Sequence, residues 1–486
     1  MAEAISNIIT SSSENMNFWS KGNITIDTNQ DFLIVEALNH AADSVNNLWK
    51  IIGIALVFWM HAGFSMLEAG SIREKNVQNI LFKNLLNVVF TTLVWWAWGY
   101  AFAFGKDEGN FWGGAEKKGY LGIDIESQDG GAGWIWWSFQ WAFAATAVTI
   151  ISGGMAERAN TIGYIITIIW FQLMIYPVIC HWVWGAGGWL GKGDPDVEWL
   201  HFYDYAGSAV VHMVGGIAAL VGCFFLGPRT GVRKSCSIPN VALGTFILWM
   251  GWYGFNGASG DIVDRVTLRT FDQNSNIDGE EGEVDGTNWI MSTSSDNLDT
   301  TGRVIVNTTI SASVGGIFTL ILFYIKTGML EVPQLCNGIL AGLVAITAPC
   351  NNVADWAAFC IGMIASVFYL IGVLILDKAD IDDAIGAFPV HGCCGIWGIL
   401  ATGLFDMDHG WFYNKDTFMA WQIYGILAII GWVVLMTGIV IKGLDLVNLL
   451  RVDEETELKG LDRKYHRAAS VIGTSTYRGS KENVSK

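Results

Sequence analysis

The sequence predicts an all-α membrane protein of eleven transmembrane helices, arranged as two inverted five-helix repeats plus an eleventh helix, with the N-terminus outside and the C-terminus cytoplasmic. Three observations predict it. Of 486 residues, 52% are hydrophobic and only 15% are charged, a balance that water-soluble globular chains rarely show. Eleven apolar segments follow one another along the chain. One polar motif recurs at corresponding places in the two halves.

A hydrocarbon core roughly 30 Å thick needs about 20 apolar residues per helical crossing. Apolar runs lie at 48–70, 84–104, 134–156, 161–184, 206–226, 240–259, 304–325, 336–349, 353–376, 387–404 and 419–441, each bounded by polar, Gly-rich or charged residues. The organisation that follows is an extracellular N-terminal segment 1–47, a first five-helix repeat 48–226, a cytoplasmic linker 227–239 and a second repeat 240–404 that carries a long outer loop 260–303. An outer loop and the eleventh helix occupy 405–441, and a cytoplasmic regulatory tail 442–486 closes the chain. The 57 glycines suit close helix packing in lipid, where small residues let backbones approach, and the 24 tryptophans suit interfaces and pore walls.

Charge sets the orientation. With the N-terminus outside, 18 of the 28 Lys and Arg fall on the inner side, as short cytoplasmic loops require. Of the 45 acids, 30 fall on the outer side, so that face attracts cations. The net charge of −17 excludes nucleic-acid partners, which need a basic surface. Eight cysteines show no metal-ligand or redox spacing and read as packing residues; no metal and no cofactor is expected. The first 47 residues lack the basic flank and apolar core of a cleavable signal. Asn23-Ile-Thr25 would face outward as a glycosylation acceptor, whereas Asn307-Thr308-Thr309 lies in a span.

The repeated motif is D-x2-G-x3-V-H-x3-G-I. Asp204, Gly207, Val211, His212, Gly216 and Ile217 match Asp383, Gly386, Val390, His391, Gly395 and Ile396 at identical spacing. The copies sit in the fifth and tenth spans. Five crossings per half is an odd number, which inverts the second half about an axis in the membrane plane. Eight residues at about 1.5 Å each carry each histidine about 12 Å from its aspartate, so both histidines reach the midplane from opposite sides. A single membrane histidine is ordinarily a core residue bonded to a carbonyl, but two at symmetry-related depth mark a pathway or proton relay. The aspartates cap helix N-termini, a role compatible with an electrostatic one. Two imidazoles in contact can share and pass a proton. No H-E-x-x-H or C-x-x-C pattern supports a metal site.

The chain resembles the Amt/Mep/Rh family of ammonium transporters, on the Amt side, from about residue 48 to 466. The resemblance rests on AGFSMLEAGSIREKNVQN at 62–79, FQWAFAATAVTIISGGMAER at 139–158, VWGAGGWL at 183–190, DYAGSAVVH at 204–212, WMGWYGFNGAS at 249–259, VNTT at 306–309 and DDAIGAFPVHGCCGIWG at 382–398. It implies a plasma-membrane homotrimer with one narrow pore per subunit, carrying ammonium or ammonia and also methylammonium. It assigns an outer recruitment site to Trp184, Ser259 and Phe143 with Asp204 below it, a gate to Phe143 and Phe255, and the pore to His212, His391 and Thr308. An indole face attracts a cation with about 0.5–2 kcal/mol and a hydroxyl accepts an N–H bond, which potassium cannot donate. Resemblance also makes residues 450–466 a segment that couples subunits. Lys464 stands where many plant members carry a phosphorylatable threonine, so shut-off at that position is not carried over.

Because a bare charge at the bilayer centre costs from about 2.5 to above 10 kcal/mol, the implied route strips ammonium of its proton and conducts ammonia. Two rivals remain: a gas channel of the Rh type, against which Trp184 and Ser259 argue, and an ammonium sensor. An enzyme is not expected, since no nucleophile stands beside a base in the spans.

Overall fold

The computed structural model describes residues 24–26, 29–105, 111–114, 119–125, 133–192, 201–231, 237–265, 267–270, 289–292, 296–415 and 417–466. Asn23, the acidic stretch of the 260–303 loop and the Ser/Thr residues beyond 466 lie outside them.

Among the described residues, eleven helical segments overlie the apolar runs. α1 is Asn29–Ser71, and α2 runs through Glu74–Phe104. α3 is Gly133–Gly154, while α4 joins Thr161–Trp170, a π turn at Phe171–Ile175 and Tyr176–Trp184. α5 is Ser208–Leu226 and α6 is Ile238–Gly257. α7 is Asp296–Thr327, α8 Val332–Ile346, α9 Asp355–Ala379, α10 Phe388–Phe405 and α11 Phe418–Leu446. Eight of them are long and apolar enough to cross a membrane; α3, α6 and the 15-residue α8 complete the set. Two short helices follow, α12 (Glu454–Lys459) and α13 (Leu461–Tyr465).

Two features depart from the expectation. α1 begins 19 residues before position 48, inside the stretch read as a polar N-terminal segment. The fold is also not purely helical: β1 (Ile24–Ile26), β2 (Thr267–Thr270) and β3 (Trp289–Ser292) form an antiparallel sheet in the order β1-β3-β2. Strands of three or four residues are too short to show an alternating pattern in sequence.

The helix starts follow local chemistry. Asn160 accepts the free N–H groups of Ile162 and Gly163 at the head of α4, and Ser237 accepts from Asn240 at the head of α6. α5 and α10 both open on a π turn, Ser208–Met213 and Phe388–Cys393. Each is preceded by a glycine in the left-handed region, Gly207 at φ +111° and Gly386 at φ +80°, a conformation a side chain would strain.

The same two helices cross at the centre of the core. A β-carbon on Gly216 would stand 2.1 Å from the backbone nitrogen of Gly392, and one on Gly395 2.6 Å from the carbonyl oxygen of Ser208. The second glycine of the repeated motif is therefore what lets the two copies touch, as expected where lipid supplies no hydrophobic drive between helices. All seven described cysteines are free, and six of them are buried in this core.

Candidate functional site

The crossing brings the two histidines together. His212 Nδ1 and His391 Nδ1 lie 3.2 Å apart, with ring centroids 5.3 Å apart and planes inclined by 22°. Both rings are buried. At that distance one Nδ1 donates and the other accepts, so the pair holds one proton between the rings. His212 Nε2 has no hydrogen-bond partner among the described residues.

Asp204 approaches from one end. Its Oδ1 accepts from the Gly207 and Ser208 N–H groups (2.9 and 2.8 Å), and its Oδ2 from those of Ala209 and Val210 (2.8 and 3.0 Å). One carboxylate thus satisfies four orphan donors at the head of α5. Asp383 repeats the arrangement at the opposite end, accepting from Gly386 (3.1 Å) and Phe388 (2.8 Å), with Ile385 at 3.4 Å. Burial pushes the pKa of Asp204 up to about 6, against the opposing pull of its four backbone donors.

On the Asp204 side the aromatic residues form a stack. Phe143 and Phe255 are 4.1 Å apart and inclined by 23°, and Phe255 lies 5.3 Å from His212. Trp184 meets Phe143 edge-on at 6.1 Å and donates its Nε1–H to the Asp204 carbonyl at 2.7 Å. Ser259 donates to the Phe255 carbonyl at 2.8 Å, which leaves its oxygen free to accept. Trp184, Phe143, Asp204 and Ser259 line one cavity of about 490 Å³, together with His201, Tyr203 and Tyr205. On the Asp383 side a second cavity of about 370 Å³ is lined by Asp383, Asp382, Gln334 and Asn337. Between that cavity and His391 lies a pocket of about 10 Å³.

Seven of the eight residues singled out from sequence thus lie along one line from cavity to cavity. Thr308 does not: it is buried in α7, accepts from Asn256 Nδ2 at 2.9 Å and lines neither cavity. The reading missed Trp252, which stacks on His212 at 5.0 Å and 17° and is fixed by a bond to Thr347. Its spacing of three from Phe255 was the available signal. It also missed Glu68 of α1, which lines the pocket under His391. No group of three or more potential metal ligands occurs among the described residues.

An ion-pair network flanks the Asp383 end. Asp382 accepts from Arg229 at both carboxylate oxygens (2.8 and 2.9 Å), and Glu157 accepts from Arg73 and Arg229. Burial would raise the pKa of Asp382, but Arg229 outweighs it and holds it down at about 2. The tail docks beside this network. Arg451 pairs with Glu457 at 2.8 Å, and Asp462 accepts from the Gln78 and Asn79 N–H groups (2.9 and 2.7 Å) in α2.

With this geometry in place, the relatives can be compared. The family model described as Ammonium Transporter Family matches residues 48–276 and 286–471. The chain is 36% identical to Ammonium transporter 1 member 1 of Oryza sativa over 84% of its length and 82% of the relative's. It is 35% identical to Ammonium transporter Amt2 of Archaeoglobus fulgidus, over 88% of each. A solved structure titled Sensor Amt Protein superimposes with a TM-score of 0.74 at 30% identity, covering 87% of this chain and 98% of that one. The chain is therefore a multi-pass membrane protein that belongs to the ammonium transporter family.

Proposed function

We propose that the chain transports ammonium, capturing it in the cavity beside Trp184 and Ser259 and conducting ammonia past His212 and His391. The observation that carries this reading is the imidazole pair at the crossing of α5 and α10. In the proposed orientation the Asp204 end faces outward and the Asp383 end inward.

The indole face and the Ser259 oxygen attract and orient the cation. Asp204 adds negative potential without reaching the substrate, because its oxygens are occupied by four backbone donors. The stacked phenylalanines exclude water and hydrated ions. Crossing that barrier as a cation is expensive, so the proton leaves ammonium at the mouth and crosses separately along the imidazole pair while neutral ammonia passes the histidines, and their sum is the charge that a current reads. The free Nε2 of His212 offers that solute a hydrogen-bond partner in an otherwise apolar passage. Apart from the earlier start of α1, the chain divides at the boundaries drawn from sequence; it assembles as a trimer and resides in the plasma membrane.

A second reading, that the chain reports ammonium rather than moving it, is favoured by its likeness to a structure titled as a sensor. One experiment separates the two. Adding ammonium to proteoliposomes holding the chain should give an ammonium-dependent current, and His212→Ala and His391→Ala should alter its size or its selectivity. No current in the folded wild type favours the sensor. An unchanged, ammonium-selective current in both variants removes the histidines from the mechanism.

A further inference from the structure

The small pocket under His391 has one ionisable wall besides that ring, and it is Glu68. This side chain of α1 is fully buried. Its Oε1 accepts from Ser152 of α3 at 2.6 Å and its Oε2 from Asn84 of α2 at 2.9 Å. Both partners are neutral, so they hold the carboxyl group in place without cancelling its charge. Behind it, Asn87 donates to Asn84 at 3.4 Å and Tyr164 donates to Asn87 at 2.7 Å. The buried cation nearby, Lys83, donates to the Ala159 carbonyl at 2.9 Å and sits 5.4 Å over the Tyr164 ring. Lys83 therefore acts on Glu68 through space.

A buried charge pair is weak evidence of stability, since apolar residues of similar volume serve as well or better. An ionisable group within a span more often marks a route. The position of Glu68 fits one. Asn337, Ile385 and Gly386 line both this pocket and the 370 Å³ cavity, so Glu68 stands between His391 and the water of the Asp383 end. A β-carbon at Gly153 would stand 2.0 Å from Ile385 Cδ1, so this glycine lets Ile385, which lines both cavities, pack against α3 beside Glu68.

We propose that Glu68 is the exit acid of the conduit, the group that re-protonates ammonia after it has passed the twin histidines. The proposal rests on the transport reading above. The ammonia lone pair takes the carboxyl proton: an N–H bond forms, the O–H bond breaks, and an ammonium ion stands beside the Glu68 carboxylate. As ammonium leaves for the inner cavity, the proton given up at the mouth and relayed across the imidazole pair returns from His391 to the carboxylate, so one positive charge crosses per ammonium moved. Lys83 favours the carboxylate between these steps.

The test uses the full chain in proteoliposomes, with ammonium chloride as the probe. Glu68→Gln keeps shape and hydrogen bonding but carries no transferable proton. Maximal current should fall at least about tenfold, as removal of a proton donor predicts. Half-saturating ammonium should move less than about twofold, because capture lies at the far end. Glu68→Asp should recover part of the current. Wild-type current in Glu68→Gln overturns the proposal, as does equal loss in Glu68→Gln and Glu68→Asp, which marks a structural role. Should Glu68→Gln fail to reach the membrane, dicyclohexylcarbodiimide on the wild type decides, since this reagent modifies protonated carboxyl groups in apolar surroundings. Block of the current with the adduct on Glu68, slowed by ammonium, supports the proposal; no adduct, or an adduct without block, overturns it. A folded wild type without ammonium current would overturn the transport reading and this proposal together, whereas a current indifferent to Glu68 overturns the proposal alone.

Discussion

The two ends of the conduit share a backbone plan and differ in side-chain chemistry. At each end an aspartate gathers N–H groups at the head of a π turn, a left-handed glycine precedes that turn, and a glycine further along permits the crossing. Beyond that the likeness stops. The Asp204 end has Trp184, two stacked phenylalanines and a fully enclosed carboxylate. The Asp383 end has a half-buried carboxylate, an acid-lined cavity with Tyr369 in its wall, and Phe64 6.2 Å from His391. Elements that shape the backbone are repeated because the fold requires them in both halves. Trp184 and the stacked phenylalanines, to which the proposed function gives selection, have no counterpart in the repeat.

The largest expected effect is on folding. Asp204→Ala strands four buried N–H groups, at about 1–3 kcal/mol each, and should abolish recovery of folded protein. Asp383→Ala frees fewer donors beside a cavity and should leave a purifiable protein with a lowered thermal midpoint. Equal damage from both would show that the two caps are not graded by burial.

Next comes the barrier. Phe255→Ala removes half of the stacked pair, at a cost of about 3–5 kcal/mol in packing, and should admit a potassium current in the absence of ammonium. Phe64→Ala, on the other side of the histidines, should leave potassium excluded. No leakage through either would place exclusion at the histidines instead.

Capture should respond more gently. Trp184→Leu gives up about 0.5–2 kcal/mol of cation–π attraction, which raises half-saturating ammonium about 2- to 30-fold with little change in maximal current.

The smallest effect is on the tail. Asp382 is held near a pKa of about 2, below the usual carboxylate value of 3.8. Its pairing with Arg229 therefore stabilises the fold fully above pH 4 and is lost as pH falls through about 2. Hydrogen exchange of residues 450–466 should accelerate over that acid window, and Arg229→Ala should produce the same acceleration at neutral pH.

Much of the site was legible because its signal is periodic. The repeated D-x2-G-x3-V-H-x3-G-I pattern carried the cap, the turn, the histidine and the crossing glycine at once, and each proved to have a separate geometric reason. Glu68 lies in the 62–79 motif and Lys83 just beyond it, and neither was given a role from sequence. Nothing in a one-dimensional count shows that α1 and α2 bury both against α3 and α4. Thr308 was misplaced because a polar residue in a span can face a pore or a neighbouring helix, and Asn256 took it. The early start of α1 was hidden because residues 29–47 mix many polar side chains into the run, although Val35, Ala42 and Asn46 bury one face of it.

The docking of Asp462 on α2 has a consequence for biogenesis. That carboxylate finishes the first turn of the second helix, yet it follows the last long helix in the chain. Until it docks, water must satisfy those amide donors, so the first turn of an early helix is completed by almost the last part of the described chain to be made.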